Sequence, residues 1–175
     1  MPANTIVLVP VGNLDIKIIN RLNRDLSEIF QAKVITKPKI EIPSWTYVPE
    51  RRQYNSSLIL NIIYTNRHNR DYMLAIIDHD LFAADLNFVF GEANIPYRTA
   101  IISLTRLRQS YYALPDNTNL FFERTLKEAV HELGHLYGLS HCPNLSCVMH
   151  FSNSLSDTDR KRHCFCQDCQ KQINF

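Results

Sequence analysis

The chain has 175 residues and a mass of 20.4 kDa, the size of one ordinary domain, which buries enough surface to fold without disulfide staples. Apolar residues make up 45% and charged residues 21%, which excludes a disordered or fibrous protein. Because 19 basic residues stand against 17 acidic ones, the net charge is only +2, and we expect no nucleic-acid partner.

The first apolar run, residues 5–9, predicts a buried strand that ends at Pro10. This run is too short for a membrane span or a signal-peptide core, and no basic leader precedes it, so we expect a cytoplasmic protein without a membrane partner. We also expect a monomer. Apolar residues at helical spacing from Ile18 to Phe30 predict a helix, and residues 33–36 predict a second strand. This order favours a parallel crossover and an α/β fold.

The middle of the chain predicts a loop, a helix and three more strands. Three prolines within residues 37–53 oppose both helix and central strand, so a long surface loop is expected there. A helix is predicted over residues 56–64, and strands over residues 72–77, 87–90 and 99–104. The gap between the last two strands suits a turn rather than a crossover helix, so one of them is expected to run antiparallel. We assign this edge position to the strand at 87–90.

A long helix is predicted over residues 119–139. On a helical projection its apolar side chains form one stripe, whereas His131 and His135 fall on the opposite side with Arg124 and Lys127. We therefore expect the two histidines to lie outside the core.

The run that starts at His131 has the spacing H-E-x-x-H-x-x-G-x-x-H. Two histidines one helical turn apart can direct their imidazoles at one Zn²⁺ ion. Gly138 can adopt a positive φ, which lets the chain leave the helix sharply and return His141 to the same ion as a third ligand. Glu132 is rotated away from the ion but can reach a zinc-bound water as a general base. A catalytic zinc site with an open fourth position is predicted, since a chance polar face explains neither the glycine nor the third histidine.

At these residues the sequence resembles the metzincin metallopeptidases, whose zinc-binding run is followed by a turn that contains a methionine. The cysteines narrow the resemblance to the archaemetzincin family. The matching residues after the third histidine are Cys142, Cys147, Met149, Cys166 and Cys169.

The resemblance covers the whole chain and implies a compact metzincin-like single domain over residues 1–175. Its α/β part, residues 1–139, would hold a mixed twisted sheet with an antiparallel edge strand and would end in the active-site helix. Residues 140–175 would form a small cysteine-rich part with the third histidine and a second zinc near the cleft. Met149 would be the apolar floor beneath the catalytic metal.

Independently of the family, four cysteines form two close pairs, C-x₄-C and C-x₂-C, which suits a closed structural Zn²⁺ site with four sulfur ligands. These ligands would be Cys142, Cys147, Cys166 and Cys169. The C-F-C run leaves open whether Cys164 or Cys166 is the third ligand. Paired disulfides, free thiols and an iron–sulfur cluster are the alternatives to zinc. We thus expect two Zn²⁺ ions per chain.

The predicted function is zinc-dependent hydrolysis of peptide bonds in a peptide or protein substrate, through a zinc-bound water activated by Glu132. Both an endopeptidase and an aminopeptidase fit this chemistry. The alternative function is a zinc-bearing binding module, in which the cysteine loop and the basic run at 160–163 recognise a partner or nucleic acid and the histidine site is silent.

Other motifs are assigned structural roles. Asp78-His79-Asp80 follows a strand and is interpreted as a capping or solvated loop rather than another metal site. The basic run at 160–163 is interpreted as a solvated loop, and His150 as an ordinary polar residue. Phe151 stands where some metzincins carry a tyrosine that assists at the zinc, and it has no hydroxyl.

Overall fold

A computed structural model describes residues 5–66 and 71–173, and a five-stranded mixed sheet forms its centre. The strands are, in chain order, β1 (Ile6–Val11), β2 (Val34–Thr36), β3 (Tyr47–Val48), β4 (Gln53–Asn55), β5 (Tyr72–Ile77), β6 (Leu81–Phe82), β7 (Gly91–Asn94) and β8 (Thr99–Ser103). The main sheet has the order β2-β1-β5-β8-β7, and β3, β4 and β6 form a small second sheet. Strands β2, β1, β5 and β8 are mutually parallel, whereas β7 runs antiparallel to β8 at one edge.

Polar side chains cap the first four of the five α-helices within the described residues. The helices are α1 (Ile16–Phe30), α2 (Ser56–Thr65), α3 (Thr118–Leu136), α4 (Leu155–Arg160) and α5 (Gln167–Gln172). Asn55 accepts a hydrogen bond from the backbone N–H of Leu58, and Asn117 caps α3 in the same way. Ser154 and Asp157 form a capping box at the start of α4. These caps set where α3 and α4, which carry or cover the candidate site, begin.

Alternate side chains of the central strands enter two cores, one on each face of the sheet. Helix α2 packs on one face, against residues such as Val7 and Met73. Helices α1 and α3 pack on the other face, and the segment after α3 contributes Val148, Met149 and Phe165 to this same core. A single domain therefore contains both parts of the chain. The predicted division at residues 139 and 140 stays a prediction, and its outermost residues, 1–4 and 174–175, lie outside the described residues.

The structure confirms the α/β class, the parallel crossover through α1 and the strand at Tyr72–Ile77. The loop predicted over 37–53 is wrong in part, because it contains the short strand β3 and the start of β4. The edge strand predicted at 87–90 is also wrong. The antiparallel edge is β7, and residues 87–90 form no strand but contribute an isolated bridge from Val89 to Leu81 and a carbonyl, that of Phe90, which accepts from Ser103. Val89 and Phe90 are apolar because they are buried, whereas an open edge tolerates the more polar G-E-A-N sequence of β7.

Helix α3 corrects the prediction that its histidine face lies outside the core. Arg124 is 3% exposed, Lys127 6% and His131 4%, because α4 covers the arginine and the lysine while the segment around Val148 covers the histidine. The arginine makes a two-pronged ion pair with Asp159, and the lysine donates to the Asp159 carbonyl oxygen at 3.3 Å. A helical projection separates the polar face of a helix from its apolar face, but it does not show whether the polar face contacts water or packs against other polar residues.

Candidate metal centres and catalytic cleft

The three histidines of the motif converge on one point. Possible ligand atoms of His131, His135 and His141 all lie within 4.8 Å of one another. The first two are one turn apart on α3, and their Nε2 atoms are 3.1 Å apart. The third arrives because the helix ends at Leu136 and Gly138 then takes a φ of 94°, a backbone conformation that glycine adopts without strain.

The hydrogen bonds of the two helical histidines fit a metal cation between them. His131 Nδ1 lies 2.8 Å from the Val148 carbonyl oxygen, and His135 Nδ1 lies 2.8 Å from that of Leu139. A carbonyl oxygen can only accept, so both Nδ1 atoms carry the hydrogen and both Nε2 atoms present lone pairs. Two lone pairs 3.1 Å apart repel each other unless a cation lies between them. Tetrahedral zinc at about 2.0–2.1 Å from each nitrogen would separate its ligands by roughly 3.4 Å, close to this spacing.

Burial keeps these imidazoles in the neutral form that binds metal. It lowers the pKa of His131 well below the usual value, and the nearby charge of Lys161 lowers it further. Burial also lowers the pKa of His135 and of the more exposed His141. Neutral ligands are therefore available at neutral pH without the loss of a proton.

Glu132 faces the cleft beside the histidines, against the backbone of β7. Its residue is only 5% exposed, and burial raises the pKa of its carboxyl well above the usual range, with a further rise from the charge of Glu128. A β-carbon added to Gly91 would lie 2.6 Å from Glu132 Oε1, so only glycine at this position leaves room for the carboxyl group. The edge strand and the helix thus meet with the carboxyl group between them.

A cleft of about 480 Å³ opens over this group. The three histidines and Glu132 line it on the helix side, and residues 86–93 line the opposite wall. Phe151 and Ser152 contribute from the segment after the methionine. The centroids of the Phe151 and His141 rings lie 4.9 Å apart, so Phe151 packs against the third histidine. This is the residue that has no hydroxyl where some metzincins carry a tyrosine. The arrangement suits an extended chain lying between β7 and α3.

Four sulfur atoms form a second cluster beyond the cleft. Its members are Cys142, Cys147, Cys166 and Cys169. The Sγ atoms of Cys142 and Cys166 are 3.8 Å apart and those of Cys147 and Cys169 are 3.7 Å apart. Tetrahedral zinc with bonds of about 2.3 Å would hold sulfurs roughly 3.8 Å apart, so these spacings fit the ion.

Backbone N–H groups donate to two sulfur atoms of this cluster, although burial raises the pKa of the Cys147 and Cys169 thiols. The N–H of Cys166 donates to the sulfur of Cys147 at 3.3 Å, and the N–H of Cys169 lowers the pKa of Cys166 to about 7. Cys164, the alternative third ligand, is exposed and stands outside the cluster. The structure brings together the set that contains Cys166. None of the five cysteines, all of which are described, forms a disulfide.

Met149 lies beneath α3. It is fully buried, and its sulfur would be 2.4 Å from a β-carbon added to Gly134. The glycine inside the H-E-x-x-H run therefore lets the methionine turn approach the helix. Neither Gly134 nor Gly91 belongs to the site predicted from sequence, although a glycine between two metal ligands on one helix is a visible signal that another segment approaches closely.

A buried ion pair behind the site was also missed. Lys161 Nζ lies 3.1 Å from Glu128 Oε1, and both side chains are almost fully buried, at 0% and 4% exposed. This contradicts the interpretation of the run at 160–163 as a wholly solvated loop, although Arg160 and Arg162 are exposed. A lysine within a basic run carries no sequence signal that it enters the core.

The Asp78-His79-Asp80 run makes ion pairs rather than a metal cluster. Asp78 pairs with Arg108, and Asp80 with Arg106 at 2.6 Å, while His79 is exposed. Groups of three or more candidate metal ligands within residues 5–66 and 71–173 are limited to the two described above. Over the same residues, no helix is long and apolar enough to cross a membrane.

Comparison with known proteins gives one consistent result. The model of Peptidase family M54 matches residues 4–174. The chain is 44% identical over 168 residues to the archaemetzincin of Methanocaldococcus jannaschii, which covers 96% of this chain and 92% of the relative. It is 37% identical to the archaemetzincin of Pyrococcus furiosus, over 96% of this chain and 91% of the relative.

Solved structures have the same fold. The crystal structure of archaemetzincin from Archaeoglobus fulgidus, complexed with malonate, matches with a TM-score of 0.85 and 37% identity, covering 97% of this chain and 99% of that one. The zinc-dependent peptidase from Methanocorpusculum labreanum matches with a TM-score of 0.90 and 27% identity, covering 97% and 100% of the two chains. The sheet, the long helix and the segment after it are thus within the matched length.

Proposed function

The chain belongs to Peptidase family M54, the archaemetzincins, and is a zinc metallopeptidase of peptide or protein substrates; on this premise we propose that His131, His135 and His141 hold the zinc and that Glu132 is the general base. The observation that carries the proposal is the distance of 3.1 Å between the Nε2 atoms of His131 and His135, which direct their lone pairs toward one point. The buried carboxyl group of Glu132 lies beside them in the cleft. The alternative of a binding module is not favoured, because the family is one of peptidases.

A zinc ion held by the three imidazoles would supply a Lewis acid that polarises the scissile carbonyl and lowers the pKa of water. Glu132 takes a proton from the attacking water and delivers it to the leaving amine. Burial raises the pKa of this carboxyl group, which makes its carboxylate a stronger base toward the attacking water, and the proton it takes is the one it passes to the amine. Gly91 leaves the space in which this carboxyl group moves between water and substrate.

Strand β7 is proposed to bind the substrate backbone. The N–H of Ser103 donates to the carbonyl of Phe90 at 2.8 Å, so the bonded pairs of the antiparallel ladder continue at every second residue through Glu92. The N–H and C=O groups of Gly91 and Ala93 therefore point away from β8. An extended peptide can pair with them along the open edge and lie across the histidines.

The four-cysteine cluster is proposed to hold a second, structural zinc. Four sulfur ligands leave no position for water, so this ion would take no part in hydrolysis. Because Cys142 follows His141 directly, the ion would fix the backbone that carries the third histidine. Cys142 N–H donates to the Met149 carbonyl at 2.9 Å, which ties the same backbone to the methionine turn.

Replacing Glu132 with glutamine tests the mechanism. Since a general base contributes about 10²–10⁴-fold, kcat should fall by that factor on a cleavable peptide while the zinc content stays at two ions per chain. Glu123→Gln is the matched control, because it removes the same charge from an exposed position on the same helix. Full activity in Glu132→Gln would rule out the assigned base, and two zinc ions per chain retained in His135→Ala would rule out the assigned ligands.

The proposal also covers where the enzyme cleaves its substrate, where it is located in the cell and whether it is a monomer. An aminopeptidase would lose activity when the substrate amino terminus is acetylated, whereas an endopeptidase would not. We propose a cytoplasmic location, supported by five cysteines that form no disulfide, and we propose that the chain is a monomer. Cell fractionation and sedimentation of the purified chain test these two points.

A further inference from the structure

Lys161 is a charged side chain placed where charge is costly. It follows the last residue of α4, and its side chain is fully buried beneath the catalytic helix. Its ammonium group reaches Glu128 Oε1 at 3.1 Å and the carbonyl oxygen of His150 at 3.4 Å. Thr158, one turn earlier, donates its hydroxyl to the same glutamate oxygen at 3.2 Å. A buried ammonium group persists only when such partners replace water.

The two partners of Lys161 lie on the two segments that build the histidine centre, namely α3 and the turn after it. Glu128 lies on α3, one turn before Glu132 and three residues before His131. His150 ends the turn that starts at Cys147, and this turn orients ligands of both centres. Within it, the Val148 carbonyl accepts from His131, as described above.

The same turn also reaches the third histidine through its neighbour. The His150 ring donates from Nδ1 to the carbonyl oxygen of Cys142 at 3.0 Å, and Cys142 follows His141 directly. A displacement of the turn relative to α3 would therefore move both the carbonyl that orients His131 and the backbone that carries His141. Among the described contacts of Lys161, those to Glu128 and His150 join these two parts.

We propose that Lys161 is a positioning residue for the histidine centre, which holds the turn Cys147–His150 in register with α3 so that the three imidazoles converge. This inference rests on the proposed ligand set and goes beyond it, since Lys161 itself contacts neither metal nor substrate. A purely structural role, in which Lys161 only neutralises a buried glutamate, predicts a different outcome for the same variants.

Lys161→Met removes the ammonium group and keeps the length of the side chain. The affinity of the histidine centre for Co²⁺ should fall by about tenfold, as is usual when support of a metal ligand is lost. The visible spectrum of Co²⁺ at this centre should change, since it reports ligand geometry, and kcat should fall while KM stays within about twofold.

Lys127→Met is the matched control. Lys127 lies in the same buried layer, but its ammonium group meets the Asp159 carbonyl and not the methionine turn. Its loss should lower the melting temperature of the protein while the affinity for Co²⁺ and the spectrum remain those of the parent.

The double variant Glu128→Gln, Lys161→Met distinguishes a positioning role of Lys161 from a role in neutralising the buried Glu128. It is compared with the parent in place of Lys161→Met if that single variant fails to fold. No buried charge is left unpaired in it, so the melting temperature should return toward the parent value. The link to the turn is still missing, so the weakened Co²⁺ affinity and altered spectrum should persist. Their recovery together with the melting temperature would overturn the inference, as would parental Co²⁺ binding in Lys161→Met. Parent protein that binds Co²⁺ no better than His135→Ala would refute the proposed function instead.

Discussion

The histidine centre and the cysteine centre are adjacent along the chain, yet their ligands are supported in different ways. The cysteine sulfurs receive N–H groups from other members of the same cluster, as Cys147 does from Cys166. The two helical histidines depend instead on carbonyls of residues that are not ligands: Leu139 orients His135, and Val148, 17 residues away, orients His131. The cysteine centre is closed by four sulfur atoms that support one another, whereas the histidine centre is open on one side and relies on neighbours outside its ligand set.

Because of this difference, we expect the cysteine centre to contribute mainly to the stability of the fold and the histidine centre mainly to peptide hydrolysis. A closed sulfur site can stabilise the segment after α3 but leaves no position for water. The open site exposes His141 and Glu132 to the cleft and relies on packed neighbours to keep its geometry. Changes at the first centre should therefore appear mainly in unfolding, and changes around the second mainly in kcat.

The largest expected effect is the loss of the cysteine centre. Cys169→Ser should release one zinc per chain and lower the free energy of unfolding by several kcal/mol, because metal binding and folding are coupled at such sites. Calorimetry and metal analysis measure both. Cys164→Ser is the control, since that thiol is exposed and outside the cluster, and it should change neither quantity. Equal losses in both variants would contradict the assigned ligand set.

Gly91→Ala should affect the open centre without affecting zinc. The new methyl group would meet the Glu132 carboxyl group at 2.6 Å and displace it, so kcat should fall by about 10²-fold while both ions stay bound. Steady-state kinetics and metal analysis test this. Ala93→Gly, two residues along the same strand, controls for changed strand stability. An active Gly91→Ala enzyme would show that the carboxyl group has another position from which to act.

Gly134→Ala probes the contact between α3 and the methionine turn. The added methyl group would lie 2.4 Å from the sulfur of the buried Met149, and such overpacking costs about 1–3 kcal/mol of unfolding free energy. Denaturant unfolding of the zinc-free protein measures it. The double variant Gly134→Ala, Met149→Ala should recover part of the loss, because the clashing sulfur is gone. No recovery would place the strain elsewhere.

The smallest expected effect is on the pH dependence of the zinc-free protein. Burial lowers the pKa of His131, so below a pH of about 6.5 the unfolded chain binds a proton that the folded chain does not. Stability should fall as pH decreases from there, by at most about 1.4 kcal/mol per pH unit for each such proton. Burial raises the pKa of Glu132, which gives the opposite slope, so the measurement is made with Glu132→Gln.

The control for this pH dependence is a second substitution in the same background. His131→Asn should remove part of the slope, and His79→Gln, which replaces an exposed histidine, is the matched substitution for comparison. Equal slopes in all three proteins would contradict the assignment to a buried imidazole.

The candidate site was largely predictable because its main signals are local. The spacing of His131 and His135 follows from the helical repeat, and the positive φ of Gly138 follows from the need to leave the helix. The two cysteine pairs are similarly local. The fold class was predictable from the alternation of strand and helix patterns, although the edge strand was misplaced by a few residues, since a polar open edge resembles a turn.

What the sequence by itself determined is therefore which side chains can be ligands and where the helix that carries them ends, because one turn of helix fixes these distances. Tertiary structure alone decided that Cys166 rather than Cys164 joins the sulfur cluster and that Gly91 lies against Glu132. It also decided that Lys161 is buried behind the histidines. These contacts join residues far apart in the chain, and their energies depend on which surfaces are withdrawn from water together, which no local pattern contains.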